Sequence, residues 1–263
     1  MTYYAVILAA GLGKRMGSET PKVLHIAADR TLLAWVLDAV SETRPDRTLV
    51  VVGFGADLVR ATLPPDVDSV LQKRQMGTGH ATSVVLEAIP EAGEGDVMLV
   101  VAGDVPLVSG ATLERLLESR SQQEASVAML TAIVDDPTGY GRVVRSPDGL
   151  VSAVVEHRDL GFDQQDIREI NSAIYAFDVG ALKRHLPSIT TDNAQGEYYL
   201  TDVIGLCARA GERVVAVICD ADEVAGVNDP VQLAEADRVL RGARMGESEG
   251  ATVFPNGQAD EVV

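Results

Sequence analysis

Ala5-Val6-Ile7-Leu8-Ala9-Ala10-Gly11-Leu12-Gly13-Lys14-Arg15-Met16 joins an apolar run to a glycine-rich turn and then to two cations. Ala5–Ala9 shows no polar alternation, the pattern of a strand covered on both faces of a parallel sheet. In the turn that follows, glycine puts no Cβ between backbone N–H groups and an approaching phosphate oxygen. It is not a Walker A loop, which needs Gly-Lys followed by Ser or Thr. It also lacks the third glycine and the helix-opening placement of a Rossmann fingerprint. Charge sets it apart: Lys14, Arg15 and Lys22 fall within nine residues of a chain whose net charge is −17. Arg grips phosphate bidentately. A solvated basic turn is the plainer account, but the strand before it and Pro21-Lys22 after it favour a phosphate site.

Working outward, β-rich runs alternate with helical patterns. Leu32, Leu33, Val36, Leu37 and Val40 mark an amphipathic helix, and Thr48–Val52 is a second buried strand. Ala81, Val84, Val85 and Ala88 suit a helix stopped at Pro90. Val97–Ala102 reads as the third strand and Val127–Val134 as the fourth, with a helix capped by Ser109 between them. The alternation predicts an open, mostly parallel α/β sheet.

After Asp135 the rhythm changes. Turn-rich stretches bracket short strands at Arg142–Arg145 and Leu150–Glu156. A polar segment, Arg158–Glu169, leads to a strand at Ala173–Asp178. A helix is expected over Tyr199–Arg209 with Gly211 as its stop, then a strand at Val214–Ile218. Asp229, Pro230 and Gln232 form an N-cap, N1 and N3 set for a helix to about Arg241. The expected organisation is one domain over 1–241, divided into 1–134, 135–229 and a terminal helix (230–241). Residues 242–263 read as a mobile acidic tail. No hexapeptide period of a left-handed β-helix occurs.

Composition bounds the function. The chain has 263 residues, 46% hydrophobic and 23% charged, as globular proteins have. Its acidity argues against nucleic acid and anionic membranes as partners, and no apolar run reaches the roughly 18 residues of a membrane span. Met1–Gly13 is apolar, but its cations follow the run instead of preceding it, so it does not read as a signal peptide. Cys207 and Cys219 read as reduced thiols in a cytoplasmic protein.

Gly103-Asp104 ends the Val97–Ala102 strand, where ligands of open α/β sheets bind. A carboxylate facing a triphosphate needs a divalent cation between them, usually Mg²⁺. Alone, Asp104 would be a turn former before Val105-Pro106. Gln72, Gly77-Thr78-Gly79, Glu156, Asn171 and Asn228 also stand at turns or strand ends. Gln and Thr can read a base edge, and Glu and Asn can hold sugar hydroxyls or an amide. His25, His80, His157 and His185 lack metal-ligand spacing, and no nucleophile–base pairing appears.

These residues sit in ordered motifs: L-A-A-G-x-G-x-R-M (8–16), P-K-V-L-H (21–25), M-G-T-G-H-A (76–81), G-D-V-P-L (103–107), D-P-T-G-Y-G-R (136–142), V-E-H (155–157), E-I-N (169–171), N-A-Q-G-E-Y-Y-L-T-D (193–202) and G-V-N (226–228). Together they resemble the pyrophosphorylase domain of bacterial N-acetylglucosamine-1-phosphate uridyltransferases. The resemblance implies a Rossmann-like mixed, mostly parallel sheet of the nucleotidyltransferase (glycosyltransferase-A-like) type. It implies uridylyl transfer from UTP to N-acetylglucosamine 1-phosphate, with 1–134 as a nucleotide-binding half and 135–229 as a sugar-binding half. Ala10, Gly11, Gly13, Gln72, Gly77 and Thr78 would bind the nucleotide, and Arg15 and Lys22 the phosphates. Gly103, Gly141, Glu156 and Asn171 would contact the sugar, and Asp104 and Asn228 would hold Mg²⁺.

The chain departs from that pattern at Ala102, where relatives often carry an aromatic residue, and at Asn171-Ser172-Ala173, where they carry Asn-Thr-Gly. The second departure adds a methyl near the expected sugar. The resembled enzyme continues into a β-helix acetyltransferase that has no counterpart here, so a standalone enzyme and a truncated one are both open, and the oligomeric state is not read. Two further readings stand beside the first: the same fold acting on another sugar 1-phosphate or nucleotide, and a non-catalytic nucleotide-sugar-binding subunit.

Overall fold

A computed structural model describes residues 1–250, apart from the side chains of Lys14 and of 244–250. In chain order the first half holds β1 (Tyr3–Ala9), β2 (Ile26–Ala27), β3 (Arg30–Thr31), α1 (Leu32–Glu42), β4 (Arg47–Val52), α2 (Ala56–Arg60), β5 (Val67–Leu71), α3 (Thr78–Ala88), β6 (Val97–Ala102), α4 (Gly110–Gln122) and β7 (Val127–Ile133). The second half holds β8 (Arg142–Arg145), β9 (Val151–Val155), β10 (Glu169–Asp178), α5 (Val179–His185), α6 (Thr201–Arg209), β11 (Val214–Ile218) and α7 (Pro230–Gly250). No helix among the described residues is long and apolar enough to cross a membrane.

The main sheet has the order β11-β7-β10-β6-β1-β4-β5, with β8 and β9 as a hairpin hung on β10. All neighbours on the main path are parallel except β10, which runs antiparallel between β6 and β7. The two halves therefore share one sheet. The continuous apolar pattern of β1 has its expected cause: Tyr4 and Val6 enter the core on one face, Ala5, Ile7 and Ala9 that on the other. Helices α3, α5 and α6 cover the first face, and α1 and α4 the second. α7 closes a third, small cluster, packing Ala236 and Leu240 on Ala27, Ala28, Leu32 and Val227.

Several expectations need correction. Val97–Ala102 is not the third strand, because β5 and the two-residue pair β2–β3 precede it. β5 escapes a hydrophobic reading because it is the sheet edge and carries Asp68 and Ser69. α2 and α5 are further elements the pattern did not predict. The polar segment holds two 3-10 turns, His157–Asp159 and Phe162–Gln164, and β10 begins at Glu169, not Ala173. The last helix runs past Gly242 to Gly250 instead of ending near Arg241. The mobility expected of the tail concerns, from 251 to 263, residues outside those described. At the start of α7, Asp229 Oδ1 accepts from Val231 N and Gln232 N, each at 2.9 Å, as an N-cap does. The Gln232 side chain, however, accepts from Asn228 N at 2.7 Å, one residue before the cap.

Candidate active site

The cleft lies beyond the carboxyl ends of β1, β4, β5 and β6, where the strand-to-helix turns emerge. Gly103 N–H donates to Leu8 O at 2.9 Å, so the turn after β6 stays beside that after β1. The Gly226–Asn228 loop is tied to the same place, because Val227 N–H donates to Asp104 O at 2.8 Å. Asp104 and Asn228, far apart in sequence, thereby face one point. Lys22 occupies it: Nζ donates to Asp104 Oδ2 and, at 3.1 Å, to Asn228 Oδ1. The Lys22 and Asp104 side chains are only 18% and 15% exposed, so the pair is largely withdrawn from water.

Two oxygens converging on one cation are the donor arrangement a hard divalent ion uses, one carboxylate with a neutral oxygen. The ammonium shows that the point favours positive charge. The residues present therefore fit Mg²⁺.

Of the residues expected to bind a nucleotide, Gly13 is held at φ +57, and a Cβ there would meet Lys22 Cβ at 2.9 Å. Glycine is what lets the first turn lie against Lys22. Ala10 is buried and Gly11 exposed. Arg15 is exposed on the single 3-10 turn Lys14–Met16, and it has no ion pair among the described residues.

Gln72 is 3% exposed, and its amide nitrogen is committed to Gly77 O at 3.1 Å and His80 Nδ1 at 2.9 Å. Gly77, at φ +101, stands where a Cβ would meet Tyr198 O at 2.5 Å. The Met76–Thr78 turn is stitched to the 198–200 segment: Tyr198 N donates to Met76 O and Gly79 N to Tyr198 O, each at 2.8 Å, and Leu200 N to Thr78 Oγ1 at 3.1 Å.

Of the residues expected to contact a sugar, Gly141, Glu156 and Asn171 come together at the β8–β9–β10 junction. Asn171 N–H donates to Gly141 O at 2.9 Å, and an added Cβ at Gly141 would lie 3.5 Å from both Glu156 Oε2 and Asn171 Cβ. Glu156 Oε1 accepts from Thr201 Oγ1 at 3.0 Å. Burial raises the Glu156 pKa above the usual carboxylate value; Thr201 opposes this, and the charges of Asp159, Asp202 and Glu197 add to it. Tyr175 OH donates to Asn171 Oδ1 at 3.0 Å, orienting that amide. Burial, and next the Asp104 charge, raise the Tyr140 pKa, placing that phenol within the field of Asp104.

The residue in place of the expected glycine, Ala173, takes φ +61 at the bulge between Asn171 and Tyr175. The family glycine is thus explained by backbone conformation, and the methyl packs on the hydrophobic core.

Three contributors were not singled out from sequence, although each lies inside a quoted motif. Thr201 supports Glu156, the Tyr198 carbonyl accepts from Gly79 N–H beside the Met76–Thr78 turn, and Arg142 Nη1 donates to Tyr140 O. Arg142 is 3% exposed, a burial a charged residue seldom reaches without a structural duty. Their signal was membership of the motif, not any chemistry of their own.

The pattern of the MobA-like NTP transferase domain matches residues 5–153. The bifunctional protein GlmU of Lactococcus lactis subsp. lactis is 47% identical over 242 residues, 92% of this chain and 52% of that protein. GlmU of Bordetella petrii is 49% identical over 236 residues, 89% of this chain and 51% of its own length. GlmU of Streptomyces coelicolor is 48% identical over 240 residues, with coverages of 89% and 50%. The chain spans about half the length of the curated relatives it matches. With more than half of its residues matched in order, and the expected mixed sheet carrying the turn motifs, the chain belongs to the MobA-like NTP transferase domain family.

Proposed function

We propose that the chain transfers the uridylyl group of UTP to N-acetylglucosamine 1-phosphate, releasing pyrophosphate, with Mg²⁺ held by Asp104 and Asn228. The observation that carries this reading is the convergence of Asp104 Oδ2 and Asn228 Oδ1 on the Lys22 ammonium beside the glycine turn. The choice of substrates rests on the motif likeness to N-acetylglucosamine-1-phosphate uridyltransferases and on the GlmU relatives.

Asp104 and Asn228 would hold Mg²⁺, which would supply neutralisation of phosphate charge. Lys22, whose ammonium sits at that point in the free protein, and Arg15, exposed on the Lys14–Met16 turn, would offset the triphosphate and the departing pyrophosphate. With its nitrogen committed to Gly77 and His80, Gln72 has Oε1 left for a ligand. That acceptor matches the N3–H of uracil, whereas cytosine presents an acceptor there. Glu156 accepts from a sugar hydroxyl or amide, and Asn171, with Oδ1 taken by Tyr175, has its amide nitrogen to donate. The sugar phosphate oxygen attacks the α-phosphorus in line. Positioning and charge neutralisation suffice for that chemistry, so no side chain serves as nucleophile. These substrates are cytoplasmic metabolites, and the chain is assigned to the cytoplasm on that basis.

The test is pyrophosphate release across a panel of nucleotides and sugar 1-phosphates, with and without Mg²⁺. Release is expected with UTP and N-acetylglucosamine 1-phosphate, and only with a divalent ion. Release with another sugar alone would reassign the acceptor, and binding without turnover on any pair would make the chain a nucleotide-sugar-binding subunit.

A further inference from the structure

At the edge of the sheet opposite the cleft, His185, Cys207 and Glu212 each offer one ligand atom, and these atoms lie within 4.8 Å of one another. The topology puts them there. β10 ends at Asp178, paired with Val97 at the amino end of β6, and α5 carries the chain on to His185. β11 runs parallel to β7, and Glu212 precedes it. Cys207 is fully buried on the last turn of α6. That helix closes with Gly211 at φ +74 and with Glu212 N–H donating to Cys207 O at 3.0 Å. This left-handed closure folds Glu212 back over Cys207.

The carboxylate is unevenly satisfied. Oε1 takes Arg184 Nη2 at 3.2 Å and lies 3.0 Å from His185 Nε2. Oε2 is buried and has no hydrogen-bond partner among the described residues. A buried oxygen in that state calls for an explanation, and a missing ion is one of the standard ones.

We propose that His185 Nε2, Cys207 Sγ and Glu212 Oε2 bind one transition-metal ion of the Zn²⁺ class, with water as the fourth ligand. Imidazole, thiolate and carboxylate are all Zn²⁺ ligands, and the sulfur disfavours Mg²⁺ and Ca²⁺. Tetrahedral bonds of about 2.0–2.3 Å hold ligands roughly 3.3–3.8 Å apart, so the three atoms draw in by about 1 Å. Burial, then the Glu212 charge, push the Cys207 thiol up to about 12, so it is protonated in the free protein. On binding, the S–H bond breaks, its proton passes to solvent and the thiolate pair forms the bond to the metal; His185, whose Nε2–H donates to Glu212 Oε1 in the free protein, moves that proton to Nδ1 through solvent and binds with the freed Nε2 lone pair. Burial alone would raise the Glu212 pKa, but the side chains of His185, Ser126 and Arg184 outweigh it and hold the carboxyl at about 2. Glu212 therefore needs no deprotonation, and Arg184 remains on Oε1 as an outer partner.

The test is titration of the chelator-stripped chain with Co²⁺ as the probe, followed by Zn²⁺ and Mg²⁺ competition. The expected result is one Co²⁺ per chain with sulfur-to-cobalt charge-transfer absorption, erased by Zn²⁺ and unmoved by Mg²⁺. The band should vanish in Cys207→Ala and persist in Cys219→Ala, and Zn²⁺ should raise the Tm of the wild type but not of His185→Gln. Uridylyl transfer, or its absence, should be the same in wild type and His185→Gln, which separates this site from the reading of the cleft. No charge-transfer band in the wild type, or one that survives Cys207→Ala, would overturn the proposal. If Cys207→Ala does not fold, His185→Gln decides: an unchanged band and an unchanged Zn²⁺-induced Tm shift overturn it.

Discussion

Asn228 Oδ1 accepts a hydrogen bond of 3.1 Å from Lys22 Nζ, across 206 positions of the chain. What holds Asn228 in place is the first turn of α7, where Gln232 Oε1 accepts from the Asn228 N–H at 2.7 Å. Gln232→Ala should therefore raise the Mg²⁺ concentration for half-maximal rate by about tenfold, the scale on which outer partners of a metal ligand act. Gln232→Glu keeps the acceptor and should restore the wild-type value. A Mg²⁺ titration of initial rates reads both variants, and an unchanged half-saturation in Gln232→Ala would leave Gln232 as a helix cap only.

Asp104→Asn tests the other oxygen. Asn has nearly the shape of Asp, so the turn after β6 should keep its fold by circular dichroism. What is lost is the only negative charge proposed to hold the metal, and kcat should fall by about 10²–10³. A folded variant with wild-type kcat at ordinary Mg²⁺ would return Asp104 to a turn-forming role.

Glu156 carries a raised pKa because it is buried. For an acid this means that the native state holds its proton more tightly than the unfolded state, so stability falls as pH rises through the window from the unfolded value of 4.5 upward. Glu156→Gln removes the ionisation and keeps the oxygen that Thr201 uses. Its Tm should exceed that of the wild type at pH 7, and the difference should shrink as pH drops through that window and be gone below the unfolded value. Sugar-phosphate binding should weaken by about 1–3 kcal/mol with UTP binding little changed. Equal weakening of both substrates would refute the assignment of Glu156 to the sugar.

Gly77→Ala and Gly139→Ala separate strain from collision. Both positions have positive φ, +101 and +87, but only at Gly77 would the new Cβ strike backbone, 2.5 Å from Tyr198 O. Gly139→Ala should cost the conformational strain alone, about 1–2 kcal/mol. Gly77→Ala should cost more and should also raise KM for UTP, because it parts the nucleotide turn from Tyr198. Chemical denaturation with UTP kinetics distinguishes the two.

A chain ending at Arg241 should keep its rate. Asp237 accepts from Ala28 N at 2.8 Å, Leu240 is buried, and Arg241 reaches Asp29 at 3.0 and 3.1 Å, so these α7 contacts precede the cut. Its Tm should lie within about 2–4 °C of the full chain, equivalent to about 1 kcal/mol. A chain ending at Asp229 should lose both stability and Mg²⁺ affinity, because Ala27, Leu32 and Val227 are uncovered and Gln232 is gone.

What the sequence by itself determined was local. Ala5–Ala9, Thr48–Val52 and Val127–Val134 read as strands because a continuous apolar run bounded by turns has one good use in a sheet covered on both faces. The glycine turn, Lys22 and Asp104 were legible because their chemistry shows at short spacing and the motifs stand in order. Pairing and long-range contact decided the rest. Edge strand β5 puts Asp68 on one face and Ser69 on the other, so neither an apolar run nor a clean alternation betrays it. The antiparallel entry of β10 between β6 and β7 depends on hydrogen bonding among segments whose own patterns are alike. The positive φ of Ala173 follows from a bulge that exists only once β10 pairs with β7. His185 showed no ligand spacing because its neighbours, Cys207 and Glu212, reach it through the packing of α5 on α6 and the left-handed turn at Gly211. Spacing along a chain reports contacts only within one helix, strand or turn; contacts between elements are set by which faces must be buried together, and that is settled when the whole sheet forms.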